Sequence, residues 1–154
     1  MIDPPQITET SSYPTAIIHV VVPQDKIQEV MGPTLEELMA EVARQGIAPA
    51  GPWFTHHLTR PADSFDFEVG VPVVRPVTPA GRVQPSEWPA MRVAQTIYHG
   101  GYEGLSDGWA DFLDWIETNG YEPARDLWEV YVVAPDATLN AAEWLTQLNQ
   151  PLAD

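Results

Sequence analysis

Hydrophobic positions along this chain fall into short β-like runs and two helical stripes. Ala16-Ile17-Ile18-His19-Val20-Val21-Val22 is a β-branched run stopped by Pro23. A turn or short helical segment around Ile27–Val30 leads to Gly32-Pro33, after which Thr34 and Glu37 have the spacing of a capping box. The pattern therefore predicts a helix from Thr34 to about Gln45, closed by Gly46. Leu35, Leu38, Met39 and Val42 form its apolar face, and Glu36, Glu37, Glu41 and Arg44 its polar one. Strand-like runs cover about 53–59 and 65–74, and Pro72 in the second points to an edge or a bulge. A Pro- and Gly-rich connector over 76–89 precedes a strand at 91–99, a helix at 105–119, a strand at 127–133 and a last strand near 143–150. Residues 1–14, with Pro4, Pro5, Pro14 and no hydrophobic period, read as a flexible arm.

The second half repeats the first. Leu35, Leu38, Met39 and Val42 return as Trp109, Phe112, Leu113 and Ile116, and both Leu35 to Trp109 and Val42 to Ile116 span 74 residues. The same step carries Gly46-Ile47-Ala48-Pro49-Ala50 onto Gly120-Tyr121-Glu122-Pro123-Ala124. Each half reads strand–helix–strand–strand, which predicts an α+β fold built from a duplicated module, with copies at about 15–75 and 89–152 inside one domain over 15–152. A cleft is expected where the copies meet.

Composition narrows the class. There are 22 acidic residues against 7 basic, a net charge of −15, and Lys26 is the only lysine. Nucleic-acid binding, which needs arginine and lysine against phosphate, is not expected, nor is binding to anionic membranes. No apolar run of the roughly 18 residues needed to span a bilayer occurs. Without cysteine there is no disulfide framework, which fits a cytoplasmic protein.

Few residues suggest chemistry. P-loop, Gly-x-Ser-x-Gly, Gly-x-Gly-x-x-Gly and His-Glu-x-x-His signatures are absent, and no cofactor is expected. His56 and His57 are adjacent on a strand, so they point to opposite faces and no metal site is expected. In Leu127-Trp128-Glu129-Val130-Tyr131-Val132-Val133, alternation groups Glu129 with Leu127, Tyr131 and Val133 in a strand that is apolar on both faces. A carboxylate there is either satisfied by neighbours or held for a ligand. The first copy has Thr55 in its place, so the scaffold itself does not require an acid. Phe112 and Ile116 read as core, while Trp109 stays open to a ligand. Tyr102 follows Gly100-Gly101 at an element boundary, and Trp53 and Trp88 lie in Pro-flanked segments where an indole caps a core or walls a cleft.

Several strings together resemble the GyrI-like small-molecule-binding family, related to the effector-binding domains of AraC- and MerR-type regulators. They are Thr96-Ile97-Tyr98-His99-Gly100-Gly101-Tyr102-Glu103-Gly104-Leu105, Trp115-Ile116-Glu117-Thr118-Asn119-Gly120-Tyr121, Trp128-Glu129-Val130-Tyr131 and Pro151-Leu152. The resemblance extends from about Thr15 to Leu152. It implies two modules related by pseudo-twofold symmetry, a curved antiparallel sheet with two main helices, and a central ligand groove with Glu129, Tyr131 and Tyr102 in the pocket. Family sequences often place an acid just before the leucine of the last strand; here that residue is Gln147, which cannot supply a second charge. The resemblance also implies an effector-binding half of a regulator without a DNA-reading half.

Three functions follow as expectations. The first is a stand-alone binder of amphipathic, cationic or polyaromatic small molecules, as a monomer or homodimer, with Glu129, Tyr131, Tyr102, Trp53, Trp88 and Trp109 as ligand-binding residues. The second is a hydrolase of the cyclopropanoid cyclopropyl hydrolase type, with Glu129 and Tyr131 as catalytic residues. The third is an acidic protein partner or inhibitor of a nucleic-acid enzyme such as gyrase.

Overall fold

A computed structural model describes residues 1–59, 64–134 and 138–153. Its elements are β1 (Gln6–Glu9), β2 (Tyr13–Pro23), α1 (Ile27–Arg44), β3 (Phe54–His57), β4 (Ser64–Pro72), β5 (Gln84–Trp88), β6 (Arg92–His99), α2 (Leu105–Thr118), β7 (Glu122–Pro123), β8 (Leu127–Val133) and β9 (Leu145–Ala153). The fold is α+β, with two main helices and antiparallel strands. Among the described residues no helix is long and apolar enough to cross a membrane. The chain sorts into two compact units, one formed by residues 11–90 and the other by residues 1–10 together with Met91 onward.

The unit of residues 11–90 holds the first copy. Its strands lie in the order β3, β4, β2, β5, and α1 packs on them around Ile18, Val20, Leu38, Val42, Phe67, Val69 and Val71. Three expectations need correction here. The helix starts at Ile27, not Thr34, and Pro33 sits inside it. Ile27, Val30 and Met31 pack on the same core as Leu38 and Val42, so the apolar stripe begins about two turns before the capping-box signal. Burying that stripe outweighs the local cap, and Thr34 is a buried mid-helix residue instead. The Pro- and Gly-rich stretch over 76–89 is more than a connector, because it contains β5, paired along β2. Pro72 is not on an edge: β4 lies between β2 and β3, and Pro72 is its last residue.

The other unit holds the second copy in the order β1, β6, β9, β8, with β7 on the far part of β9. Ala94, Tyr98, Trp109, Phe112, Ile116, Leu127 and Leu148 form its core. The flexible arm is also corrected. Gln6–Glu9 pair with β6, Ile2 bridges Tyr98, and the Asp3 N–H donates to the Ile97 carbonyl at 2.9 Å. Prolines 4 and 5 fall just before the paired stretch, where their missing N–H groups cost no ladder bond.

Duplication extends to single hydrogen bonds. Gly46 (φ +70°) and Gly120 (φ +83°) close their helices in the left-handed region. Beyond each, the Ala50 N–H donates to the Pro72 carbonyl and the Ala124 N–H to the Pro151 carbonyl, both at 2.8 Å. Each copy pairs its first strand with its third and its third with its second. The leading strands are exchanged, however. β1 directly precedes the first copy but pairs with β6 of the second, whereas β5 directly precedes the second copy but pairs with β2 of the first.

Candidate functional site

β8 runs over Leu127–Val133, as the alternation predicts, and it positions Glu129 and Tyr131 on one face. That face lies under α2. The Trp109 indole Nε1, from the second turn of α2, donates to Glu129 Oε2 at 2.6 Å. The Tyr131 phenol donates to Glu129 Oε1 at 2.8 Å. All three side chains are buried, Glu129 with 7% of its surface exposed. Both donors are neutral, and among the described residues no basic side chain is paired with the carboxylate. A buried acid normally calls for a compensating cation or a strong donor set.

Tyr102 brings the group to the surface. It opens the short turn of 3-10 helix before α2 and is exposed. Its ring meets Tyr131 edge-on with centroids 6.0 Å apart, and Trp144 lies 4.9 Å from it, tilted by 33°. Trp144 is fixed by its own indole N–H, which donates to the Thr138 carbonyl at 2.8 Å. An aromatic row of Trp144, Tyr102 and Tyr131 thus leads from solvent to the carboxylate. Trp144 is the residue that sequence reasoning missed, because extending the last strand back to 143 hid the turn it occupies.

Tyr98 supports this arrangement from below. Its phenol donates to the Gly101 carbonyl at 2.8 Å, and a Cβ on Gly108 of α2 would come within 2.7 Å of its ring. Burial, and the nearby charges of Glu103 and Asp107, push its phenol above the ordinary tyrosine range. Gly100, at φ +122°, makes the turn that only glycine adopts readily and places Tyr102.

Trp53 and Trp88 belong to the unit of residues 11–90. Trp88 is fully buried in the unit of residues 11–90, stacked on Tyr13 at 5.6 Å and edge-on to Phe54 at 5.4 Å. Burial pushes the Tyr13 phenol up to about 12. Trp53 is half-buried against the core of the same unit. His56 bonds Glu68 at 3.1 Å while His57 stacks on Phe67, so the two histidines diverge. Gln147 pairs with Val130 and therefore lies on the face away from Glu129, so it does not stand where a second pocket charge would be needed.

Comparison with known proteins adds the following. The family model described as GyrI-like small molecule binding domain matches residues 3–152. A search of curated proteins finds no match. Among solved structures, the EcmrR C-terminal domain superposes with a TM-score of 0.87 at 20% identity, covering 98% of each chain. EcmrR in its DNA complex gives 0.85 at 21% identity; the present chain, 98% covered, spans 57% of that longer one. A hydrolase encoded by lin2189 from Listeria innocua gives 0.69 at 13% identity, covering 97% of this chain and 91% of that one. SAV2435 bound to tetraphenylphosphonium gives 0.66 at 8% identity, covering 98% and 94%. At these identities the likeness is one of fold.

Proposed function

We propose, because this chain belongs to the GyrI-like family of small-molecule-binding domains, that its ligands are amphipathic aromatic cations drawn to Glu129. One observation carries the reading: a buried carboxylate held, among the described residues, by two neutral donors, with aromatic rings stepping outward from it. A cation arriving there gains an opposite charge in a poorly screened setting. Faces of Tyr102 and Trp144 add cation–π attraction of about 0.5–2 kcal/mol each. That the structure of SAV2435 is bound to tetraphenylphosphonium makes this lipophilic cation the natural first probe.

Titrating tetraphenylphosphonium while following tryptophan fluorescence tests the reading. Glu129→Gln keeps the shape and removes the charge, and it is expected to weaken binding about tenfold or more, equivalent to about 1.4 kcal/mol. Asp111→Asn, on the exposed side of α2, is expected to leave affinity unchanged. Equal affinity in wild type and Glu129→Gln discards the proposal.

The Glu129–Tyr131 hydrogen bond also supports a second reading, a hydrolase in which Glu129 activates water and Tyr131 stabilises developing negative charge. Mass spectrometry of a strained electrophilic substrate separates the two. Multiple turnovers lost in Glu129→Gln favour hydrolysis, and stoichiometric capture favours binding.

A further inference from the structure

The duplicated module provides an internal control for the Glu129 site. Thr55 and Glu129 occupy equivalent places, and their cross-strand partners are Val69 and Leu148. Two residues along, on the same face, His57 faces Phe67 where Tyr131 faces Thr146. On the first strand of each copy, Val20 faces Phe67 where Tyr98 faces Thr146. The first copy fills this spot with the Phe67 ring, stacked on His57 at 5.2 Å. In the second copy, threonine stands where the module packs an aromatic ring.

Thr146 is wholly buried, and its Oγ1 has no hydrogen-bond partner among the described residues. Strand alternation places it on the face of Tyr131 and Glu129. The neighbouring donors are committed, since the Trp109 N–H and Tyr131 O–H both go to Glu129 and the Tyr98 O–H goes to Gly101. Thr146 retains an unspent proton beside them. A buried hydroxyl without a partner destabilises the fold, and the first copy shows that the scaffold accepts an apolar residue there.

We propose that Thr146 is a specificity-determining residue that donates a hydrogen bond to a neutral acceptor, an ester or ketone oxygen, on an aromatic cation seated at Glu129. The proposal rests on the binding reading above: Glu129 selects charge, and Thr146 selects among cations.

Benzyltriphenylphosphonium and its 4-methoxycarbonyl derivative are the paired probes, because they share charge and rings and differ in one acceptor group. Wild type is expected to bind the ester about three- to tenfold more tightly, the range of one neutral hydrogen bond. Thr146→Val is expected to abolish that preference and keep affinity for the parent cation within about twofold. In the free protein Thr146→Val is expected to raise Tm by about 2–4 °C, as removing an unsatisfied buried hydroxyl should in a chain of this size. An ester preference that survives Thr146→Val, a wild type that shows none, or a lowered Tm overturns the role of Thr146 alone. No binding of the parent cation, or binding indifferent to Glu129→Gln, overturns the binding reading and this proposal with it.

Discussion

At the scale of residues, the two copies solve one packing problem in opposite ways. Thr34 in α1 corresponds to Gly108 in α2, and Val20 in β2 to Tyr98 in β6. Where the strand residue is small the helix carries a side chain, and where it is large the helix has none. Gly108→Ala raises intrinsic helix propensity by about 1 kcal/mol yet drives a methyl to 2.7 Å from a buried ring. Overpacking costs roughly 1–3 kcal/mol, so the net loss is expected to be up to about 2 kcal/mol, with Tyr98→Val restoring much of it. Thermal unfolding of the single and double variants checks this, and a stabilised Gly108→Ala contradicts it.

Tyr13 makes a separate prediction. Burial pushes its phenol up from the ordinary tyrosine range to about 12, so the unfolded chain gives up this proton first. Its contribution to stability is complete below pH 10 and is lost as pH rises toward 12. Tyr13→Phe is expected to flatten the decline in stability over that window and to remove one phenol from the late step of an alkaline ultraviolet titration. Glu129 and Tyr131 were legible as a same-face pair because alternation is local. The Trp109–Glu129 bond was not, since it joins side chains on different elements whose approach only the fold decides.

At the scale of elements, periodicity placed α2, β6 and β8 well, and it failed where a local signal competed with burial. Thr34 and Glu37 have the right spacing for a cap, but the apolar stripe from Ile27 through Val42 carries the helix straight through Pro33. Inside the helix Pro33 deprives the Glu29 carbonyl of its usual partner. Pro33→Ala is therefore expected to stabilise the protein by about 1–3 kcal/mol. A neutral or destabilising result would favour a helix that starts at Thr34. β5 was missed for a different reason: its partner lies far away in the chain, with Trp88 opposite Tyr13, and a Pro-rich segment offers no period of its own.

For the whole molecule, the 74-residue echo correctly identified the doubled module, because both copies keep their helix phase and the turn that closes it. The exchange of leading strands left no trace in the hydrophobic pattern. Deleting residues 1–10 removes β1 and the Ile2 bridge, and leaves β6 as a bare edge. The shortened protein is expected to unfold several degrees lower and to scatter light on warming, and an unchanged Tm would show β1 to be dispensable.

The exchanged strand also imposes an order on biosynthesis. Gln6 leaves the ribosome well ahead of its partner Gln95, which is made almost ninety positions later. At ordinary translation speeds β1 waits on the order of ten seconds for somewhere to dock. Its sparse apolar content and the paired prolines before it suit a segment that must stay solvated through that delay.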